Sequence, residues 1–231
     1  MRQIDEVRSL IRERSVLPSG TLEAIVRKRF EAQPGRLVRG LQHWPLDEMR
    51  VLDVGASYGH CLVHFGPGSV GLDNVPEHVE FCRSLGLDAR LCDVEADLDE
   101  IEDGGFDAVW VSDILEHLDA PRALLRRLAP KLTPGGLLVL YLTVLPRSRL
   151  ARAAFAGRGF FDADVHHYQF TAETARYLVA RAGYAVEEVV PGVRLPRSVT
   201  PTLFVAARRD AAAEEHARAA ESRNRPDSRA A

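Results

Sequence analysis

An acid and two glycines in the stretch VLDVGASYGH, residues 51–60, have the types and the spacing to bind a ligand. Asp53 ends a run of apolar residues, and Gly55 and Gly59 follow it in a loop of small residues. A glycine has no side chain, so a ligand can approach its backbone closely. Two interpretations are open at this point: a tight strand-to-helix turn that any α/β protein could use, or a loop that holds a ligand.

Two further acids end the apolar segments that follow this loop. Asp73 lies eighteen residues after Gly55, near the spacing at which an acid accepts hydrogen bonds from ribose hydroxyls. Asp93 can accept from an exocyclic amine of a base, and Asp53 can offset an ammonium group. The three acids together fit a nucleoside with a cationic amino-acid arm. Taken singly, each is more often a helix cap or a turn former.

The glycine loop does not match the common nucleotide-binding motifs. A dinucleotide-binding loop needs Gly-x-Gly-x-x-Gly after the first strand, and Ser57 and His60 stand where the second and third glycines belong. No segment matches a Walker loop. The sequence therefore favours neither a dinucleotide nor a Walker-type phosphate site.

A second group of chemically active residues lies in SDILEHL, residues 112–118. If this turn enters a helix, Asp113, Glu116 and His117 share one face, because offsets of three and four residues are neighbours on a helix. Two carboxylates and an imidazole on one face can bind a divalent cation, and His166 of the later stretch HHYQFT can add a ligand. The alternative is that Glu116 bonds locally, His117 lines a pocket or acts as a base, and His166 and His167 are surface residues.

Alternating strand and helix patterns from residue 49 onwards place these residues at the carboxyl ends of strands. Strands are expected at 50–55, 69–73, 88–95, 106–113, 136–144, 184–190 and 201–209, with helices at 76–86, 120–132 and 171–183. Helices are also expected at 2–15 and 21–33, and an irregular segment at 145–165. This order predicts an α/β fold, a doubly wound, Rossmann-like sheet of about seven strands, mostly parallel with the last strand antiparallel, plus N-terminal helices. Ligands of such sheets bind beyond the carboxyl ends of the strands.

The predicted organisation has three parts. Residues 1–45 form an N-terminal helical cap, residues 46–209 the ligand-binding domain, and residues 210–231 a disordered or frayed helical tail.

The sequence over residues 49–143, and more loosely to residue 209, resembles the class I S-adenosylmethionine-dependent methyltransferases, close to types 11 and 12. The resemblance is carried by the loop from Asp53 to Gly59, by Asp73 and Asp93, and by the segments FDAVWVSDILEHL and LAPKLTPGGLLVL. It implies S-adenosylmethionine as cofactor. The cofactor-binding residues that it implies are Asp53, Gly55, Ala56, Ser57, Gly59, Asp73, Asn74, Cys92, Asp93 and Ser112. The sequence departs from the family at Ser57, which stands where the family has a glycine.

The turn after the fourth strand is similar to the E-x-x-E-H metal motif of two groups of methyltransferases. These are the ubiquinone-pathway O-methyltransferases and the small-RNA 3′-terminal ribose 2′-O-methyltransferases. The resemblance implies Glu116, His117 and His166 as catalytic residues. It also implies a set of ligands for Mg²⁺ or Mn²⁺: Asp113, Glu116, His117 and His166. Metal-free methyltransferases also carry Glu-His-Leu at this turn, so the metal is an alternative and not the main expectation.

Composition limits the partners. Residues 46–209 hold 17 Lys and Arg against 23 Asp and Glu, which disfavours a long nucleic acid as partner. No apolar run reaches the length of a membrane helix, and three unpaired cysteines indicate free thiols in the cytoplasm. Arg147, Arg149, Arg152 and Arg158 are candidates for a lid over an anionic substrate, or for a solvated surface. Three roles are open for the N-terminal helices: they cover the pocket, they pack on the sheet edge, or they pair two subunits as a homodimer.

The predicted function is an S-adenosylmethionine-dependent methyltransferase that acts on an oxygen of a small-molecule metabolite. The alternatives are a metal-assisted RNA ribose 2′-O-methyltransferase and a catalytically silent cofactor-binding partner of a second protein.

Overall fold

The computed structural model describes residues 4–14, 30, 34–156 and 166–210. Seven strands form one sheet: β1 (Val51–Val54), β2 (Val70–Asp73), β3 (Asp88–Leu91), β4 (Phe106–Ser112), β5 (Leu132–Thr143), β6 (Tyr184–Pro191) and β7 (Thr202–Arg209). The helices are α1 (Ile4–Arg14), α2 (Pro34–His43), α3 (Pro76–Ser84), α4 (Pro121–Leu128), α5 (Arg149–Ala156) and α6 (Ala172–Arg181).

The strand order is β3-β2-β1-β4-β5-β7-β6, and only β7 runs antiparallel to its neighbours. This confirms the predicted doubly wound sheet with an antiparallel last strand. The order reverses between β1 and β4, which lie side by side with Val54 opposite Val111. The carboxyl ends of these two strands therefore open the crevice in which ligands of such sheets bind.

Buried apolar residues cover both faces of the sheet. One face packs under α4 and α6 through residues such as Leu125 and Val179. The other carries Trp110 and Phe204, whose ring centroids lie 5.8 Å apart. Helix α2 approaches this face so closely that a Cβ on Gly40 would lie 2.9 Å from Trp110. This contact fixes α2 beside the carboxyl end of β4.

The helices agree with the prediction in part. Helices α1, α3, α4 and α6 are confirmed, and Thr171 starts α6 with the expected cap by bonding the backbone N–H of Thr174. The expected helix at 21–33 lies outside the described residues except for Phe30, and so does the tail beyond residue 210.

Two helices were not predicted. Residues 145–165 were expected to be irregular, but α5 occupies part of that segment. Its run RLARAAFA is rich in alanine, a strong helix former. Helix α2 begins at Pro34, where a proline suits the first turn.

Candidate active site

Residues with left-handed backbone conformation build the loop after β1. Gly55, Ser57 and Gly59 have φ of 76°, 50° and 73°. The backbone N–H groups of Gly55 and Ala56 both donate to the Leu72 carbonyl, at 2.9 and 2.8 Å, and thereby tie the loop to the end of β2. Ser57 keeps this turn without the glycine of the related family, although L-residues adopt this conformation only with strain.

The two glycines have different surroundings. A Cβ on Gly59 would lie 2.9 Å from Cys82 Sγ, so this glycine lets the loop pack against α3. A Cβ on Gly55 would lie 2.2 Å from Cδ1 of Ile114, so the close approach at Gly55 is made by a side chain of the turn after β4. Gly55 borders the cavity described next, and Gly59 does not.

A cavity of about 180 Å³ lies at the reversal point of the sheet. Six of the ten predicted cofactor residues line it: Asp53, Gly55, Ala56, Ser57, Asp73 and Ser112. The other four do not: Gly59, Asn74, Cys92 and Asp93. Exposed Asp93 accepts a hydrogen bond from the Glu95 N–H at 2.9 Å, the turn-forming contact that the alternative interpretation describes. Cys92 is a buried free thiol, and burial raises its pKa to about 11.

Both carboxylate oxygens of Asp73 have hydrogen-bond partners. Oδ2 accepts from the backbone N–H of Ser57 at 2.7 Å, and Oδ1 accepts from that of Val75 at 2.9 Å. The His78 Nδ1 lies 3.0 Å from Oδ1, and the His78 ring packs on Tyr58. An ionised carboxylate offers about four acceptor positions. These contacts therefore orient the group and leave acceptor capacity toward the cavity.

Asp53 is buried in a different way. Its side chain is 2% exposed and Oδ2 has no hydrogen-bond partner. Burial, and after it the charge of Asp73, raises the pKa of Asp53 to about 8, although Arg36 opposes the shift. A cation placed in the cavity would favour the ionised form of Asp53.

Arg36 of α2 also lines this cavity, and the sequence interpretation did not single it out. Its Nη1 donates to Ser112 Oγ at 2.7 Å and forms an ion pair with Asp113, and its guanidinium lies 5.3 Å from the centroid of the Tyr141 ring. Burial raises the pKa of Asp113, and Arg36 opposes that shift. The only sequence signal was an arginine in an amphipathic stretch, because its partners lie more than 70 residues away.

The turn after β4 does not enter a helix. Asp113 has φ of 52°, and a single 3-10 turn spans Leu115–His117. Asp113 consequently points to Arg36 and does not share a helical face with Glu116 and His117. The expected common face is therefore wrong, and its physical reason is the left-handed conformation of Asp113.

Glu116, His117 and His166 nevertheless come together. Their candidate ligand atoms all lie within 4.8 Å of one another, and the two imidazole centroids are 4.8 Å apart. The backbone N–H of His167 donates to the Glu116 carbonyl at 2.7 Å, which holds the later segment against the turn. His167 itself lies 3.2 Å from Asp119 at the surface.

Glu116 is 1% exposed, and its carboxylate oxygens have no side-chain hydrogen-bond partner, although the backbone N–H groups of Glu116 and Thr143 favour its ionised form. Burial, followed by the charge of Asp113, raises the pKa of Glu116 to about 7. A buried carboxylate without such a partner is costly. It would be stabilised by a bound cation or by a proton.

Within the part of the chain that the structure describes, every helix is too short or too polar to cross a membrane.

Comparison with known proteins gives the same picture as the fold. A family model described as a methyltransferase domain matches residues 26–189. A ubiquinone biosynthesis O-methyltransferase of Xanthomonas campestris pv. campestris (strain B100) is 35% identical over 134 residues, which cover 52% of this chain and 55% of that protein. The chain thus spans about half the length of this curated relative.

Solved structures share the fold at low sequence identity. An S-adenosylmethionine-dependent methyltransferase from Thermotoga maritima has a TM-score of 0.62 at 16% identity, over 83% of this chain and 96% of that one. The [4+2]-cyclase SpnF has a TM-score of 0.59 at 16% identity, over 75% and 79% of the two chains. Because the family model matches more than half of the sequence, the chain belongs to the methyltransferase domain family, whose class I fold its sheet adopts.

Proposed function

We propose that the protein is an S-adenosylmethionine-dependent methyltransferase that acts on an oxygen of a small-molecule metabolite. The observation that carries this proposal is the cavity at the sheet reversal, bordered by the glycine loop, by Asp73 and by Asp53, whose buried Oδ2 has no hydrogen-bond partner. Each of these features has a counterpart in the chemistry of the cofactor.

The residues around the cavity fit the parts of S-adenosylmethionine. Asp73, oriented by the amides of Ser57 and Val75, can accept the ribose hydroxyls. Asp53 can receive the α-ammonium group, and the nearby guanidinium of Arg36 can receive the α-carboxylate in place of Asp113. A cation and an anion that line one cavity match the zwitterionic end of an amino acid.

When bound, this cofactor supplies a methyl group that its sulfonium already activates. The chain then has to hold an acceptor oxygen in line with the methyl carbon, a positioning effect that can supply on the order of 7–11 kcal/mol. The O–CH₃ bond forms as the CH₃–S bond breaks, and the acceptor oxygen loses its proton. We assign proton removal to the group formed by Glu116, His117 and His166, in which His117 is the exposed base.

The same three residues fit a divalent cation. Glu116 supplies a buried carboxylate without a side-chain hydrogen-bond partner, and two imidazoles lie beside it. Such a cation would lower the pKa of the acceptor hydroxyl. Two imidazole nitrogens suit a transition-metal ion better than Mg²⁺, so Mn²⁺ is the probe of choice. Asp113 is outside this set because it pairs with Arg36.

Calorimetric titration with Mn²⁺ tests the cation without reference to activity. The wild type is expected to bind one ion, and Glu116→Gln to lose that binding because it removes the only carboxylate of the group. Glu100→Gln, at an exposed acid of a 3-10 turn, is the matched control. A wild type that binds no Mn²⁺ would reject the metal and leave His117 as the base.

The acceptor is proposed from the relatives. The curated relative named above is a ubiquinone biosynthesis O-methyltransferase, which supports an oxygen of a small molecule as the acceptor. The decisive experiment is incubation with methyl-labelled cofactor and host extract, followed by identification of the labelled species. A labelled low-molecular-weight ether or ester is expected. Label only in RNA or protein would contradict the small-molecule acceptor, and binding of S-adenosylhomocysteine without any labelled product would favour a silent cofactor-binding partner.

A further inference from the structure

A second and larger cavity lies on the same edge of the sheet, beyond the ends of β5 and β6. Its volume is about 350 Å³, within the usual range for small-molecule sites. Its apolar lining includes Val144, Leu145, Val189 and Leu203. It shares no lining residue with the cavity at the sheet reversal. The chain therefore has room for a second ligand group beside an apolar wall.

Four arginines also line this cavity, which we call the arginine pocket: Arg147, Arg152, Arg176 and Arg197. Among the described residues that line it, the only acid is Glu173, which pairs with Arg147 at 2.5 Å. The pocket thus carries an excess of positive charge, although the domain around it is acidic. Such an excess favours an anionic ligand.

Backbone carbonyls hold two of these arginines in place. Arg152 Nε donates to the Pro146 carbonyl at 2.5 Å, and Arg197 Nη2 donates to the Val189 carbonyl. A guanidinium has five N–H donors, so these contacts leave other donors of each group for a ligand. Pre-organised guanidinium groups bind planar anions such as carboxylates through paired hydrogen bonds.

A short chain segment connects the pocket to the Glu116–His117–His166 group. His166 belongs to that group, and Thr171, five residues later, lines the pocket. Five residues of extended chain span at most about 18 Å. Phe170 between them forms a bridge with Val144, and its carbonyl accepts from the Leu145 N–H at 2.8 Å. One small molecule can therefore extend from the pocket toward the proposed site of methyl transfer.

We propose that the arginine pocket binds the anionic end of the methyl acceptor, which makes the acceptor an organic anion with an apolar body and a carboxylate or phosphate group. This inference rests on the proposed methyltransferase function. The apolar wall contacts the body of the molecule, the arginines hold its charge, and the hydroxyl to be methylated lies toward His117.

The test is a calorimetric titration of the full chain with naphthalene-2-carboxylate and with naphthyl phosphate, and with neutral 2-naphthamide for comparison. The wild type is expected to bind at least one of the anions saturably and the amide about tenfold more weakly, because the amide lacks the charge-assisted hydrogen bonds. The double variant Arg152→Gln/Arg197→Gln is expected to bind the anions about tenfold more weakly than the wild type. Arg149→Gln, on the same helix but outside the pocket lining, is the matched control and is expected to bind like the wild type.

Titration with S-adenosylhomocysteine tests the proposed methyltransferase function separately from the anion site in the arginine pocket. All variants are expected to bind S-adenosylhomocysteine like the wild type. If S-adenosylhomocysteine binds and neither anion does, or if anion binding is equal in all variants, the arginine pocket proposal is overturned. If an anion binds as expected and S-adenosylhomocysteine does not, the methyltransferase proposal fails and the pocket remains an anion site. The chain is also titrated with vesicles of phosphatidylcholine with phosphatidylglycerol. Binding to these vesicles without binding to either soluble anion would also overturn the acceptor role of the pocket.

Discussion

The two halves of the carboxyl edge of the sheet are built differently. On the half formed by β1 and β2, a short loop is fixed by backbone hydrogen bonds to Leu72 and by the contact of Ser57 with Asp73. On the half formed by β5, β6 and β7, long connections carry arginines around an apolar pocket. We propose that the first half, here called the cofactor half, binds S-adenosylmethionine. We propose that the second half, here called the acceptor half, selects the methyl acceptor.

The largest expected effect separates chemistry from cofactor binding. His117→Ala removes the proposed base of the acceptor half and is expected to lower kcat by ~100- to 10,000-fold, the usual contribution of a general base. Binding of S-adenosylhomocysteine is expected to stay at the wild-type level, because His117 does not line the cofactor cavity. The measurement is turnover with the labelled metabolite together with calorimetry. Full turnover in this variant would remove His117 from catalysis.

The next effect concerns the cofactor half. Asp73→Ala is expected to weaken S-adenosylhomocysteine binding by about 100-fold or more, because it removes the ribose acceptor and leaves the Ser57 N–H without its partner. Asp93→Ala, at an exposed acid that closes a local turn, is the comparison and is expected to have a much smaller effect. Calorimetry decides between them. Equal losses of affinity in both variants would contradict the different roles expected for Asp73 and Asp93.

Much of the cofactor half could be predicted from the sequence because its signals are local. Asp53, Gly55 and Asp73 lie next to strands whose apolar pattern is readable, and parallel strands bring their carboxyl ends to one edge. Arg36 could not be found in this way, since its ion pair with Asp113 joins residues 77 positions apart. The direction in which the Asp113 side chain points also could not be predicted, because a left-handed φ at a non-glycine residue depends on its contacts in the fold.

The acceptor half was less predictable for the same reason. Arg147 and Arg152 were visible in the sequence as part of a basic group, whose Arg158 lies outside the described residues. Arg176 and Arg197, which line the same pocket, come from other segments of the chain. The sequence offered His166 as an added ligand beside Glu116 without a contact between them, and the backbone contact between His167 and Glu116 supplies the physical link. The boundary between a cap at 1–45 and the domain that follows stays a prediction.

A third prediction concerns the pH dependence of stability that the buried Asp53 of the cofactor half causes. The pKa of Asp53 is about 8 in the folded chain, against about 3.9 in an unfolded chain. Between these values the folded state binds more protons than the unfolded state. Its free energy of unfolding therefore falls as pH rises from about 4 to about 8.

Asp53→Asn removes this titration and is expected to flatten the pH dependence. Between about pH 5 and pH 8 the wild type should lose about 2 kcal/mol more unfolding free energy than the variant. The upper limit over these pH units is about 4 kcal/mol, at about 1.4 kcal/mol per unit. The expected loss is smaller because solvent and local relaxation weaken the burial penalty. Urea unfolding at several pH values measures it. Parallel curves for wild type and variant would contradict the raised pKa of buried Asp53.

The smallest expected effect concerns the one residue at which the cofactor loop departs from the family. Ser57 has φ of 50°, and its hydroxyl oxygen is buried without a hydrogen-bond partner. Ser57→Gly relieves about 1–2 kcal/mol of backbone strain, while the greater freedom of glycine in the unfolded chain takes back about 0.5–1 kcal/mol. A net gain of about 1 kcal/mol in unfolding free energy is expected, with unchanged or tighter S-adenosylhomocysteine binding. Ser57→Ala is the control, because it removes the hydroxyl and keeps the Cβ. If alanine stabilises the chain as much as glycine does, the buried hydroxyl and not the backbone conformation is the source of strain in this loop.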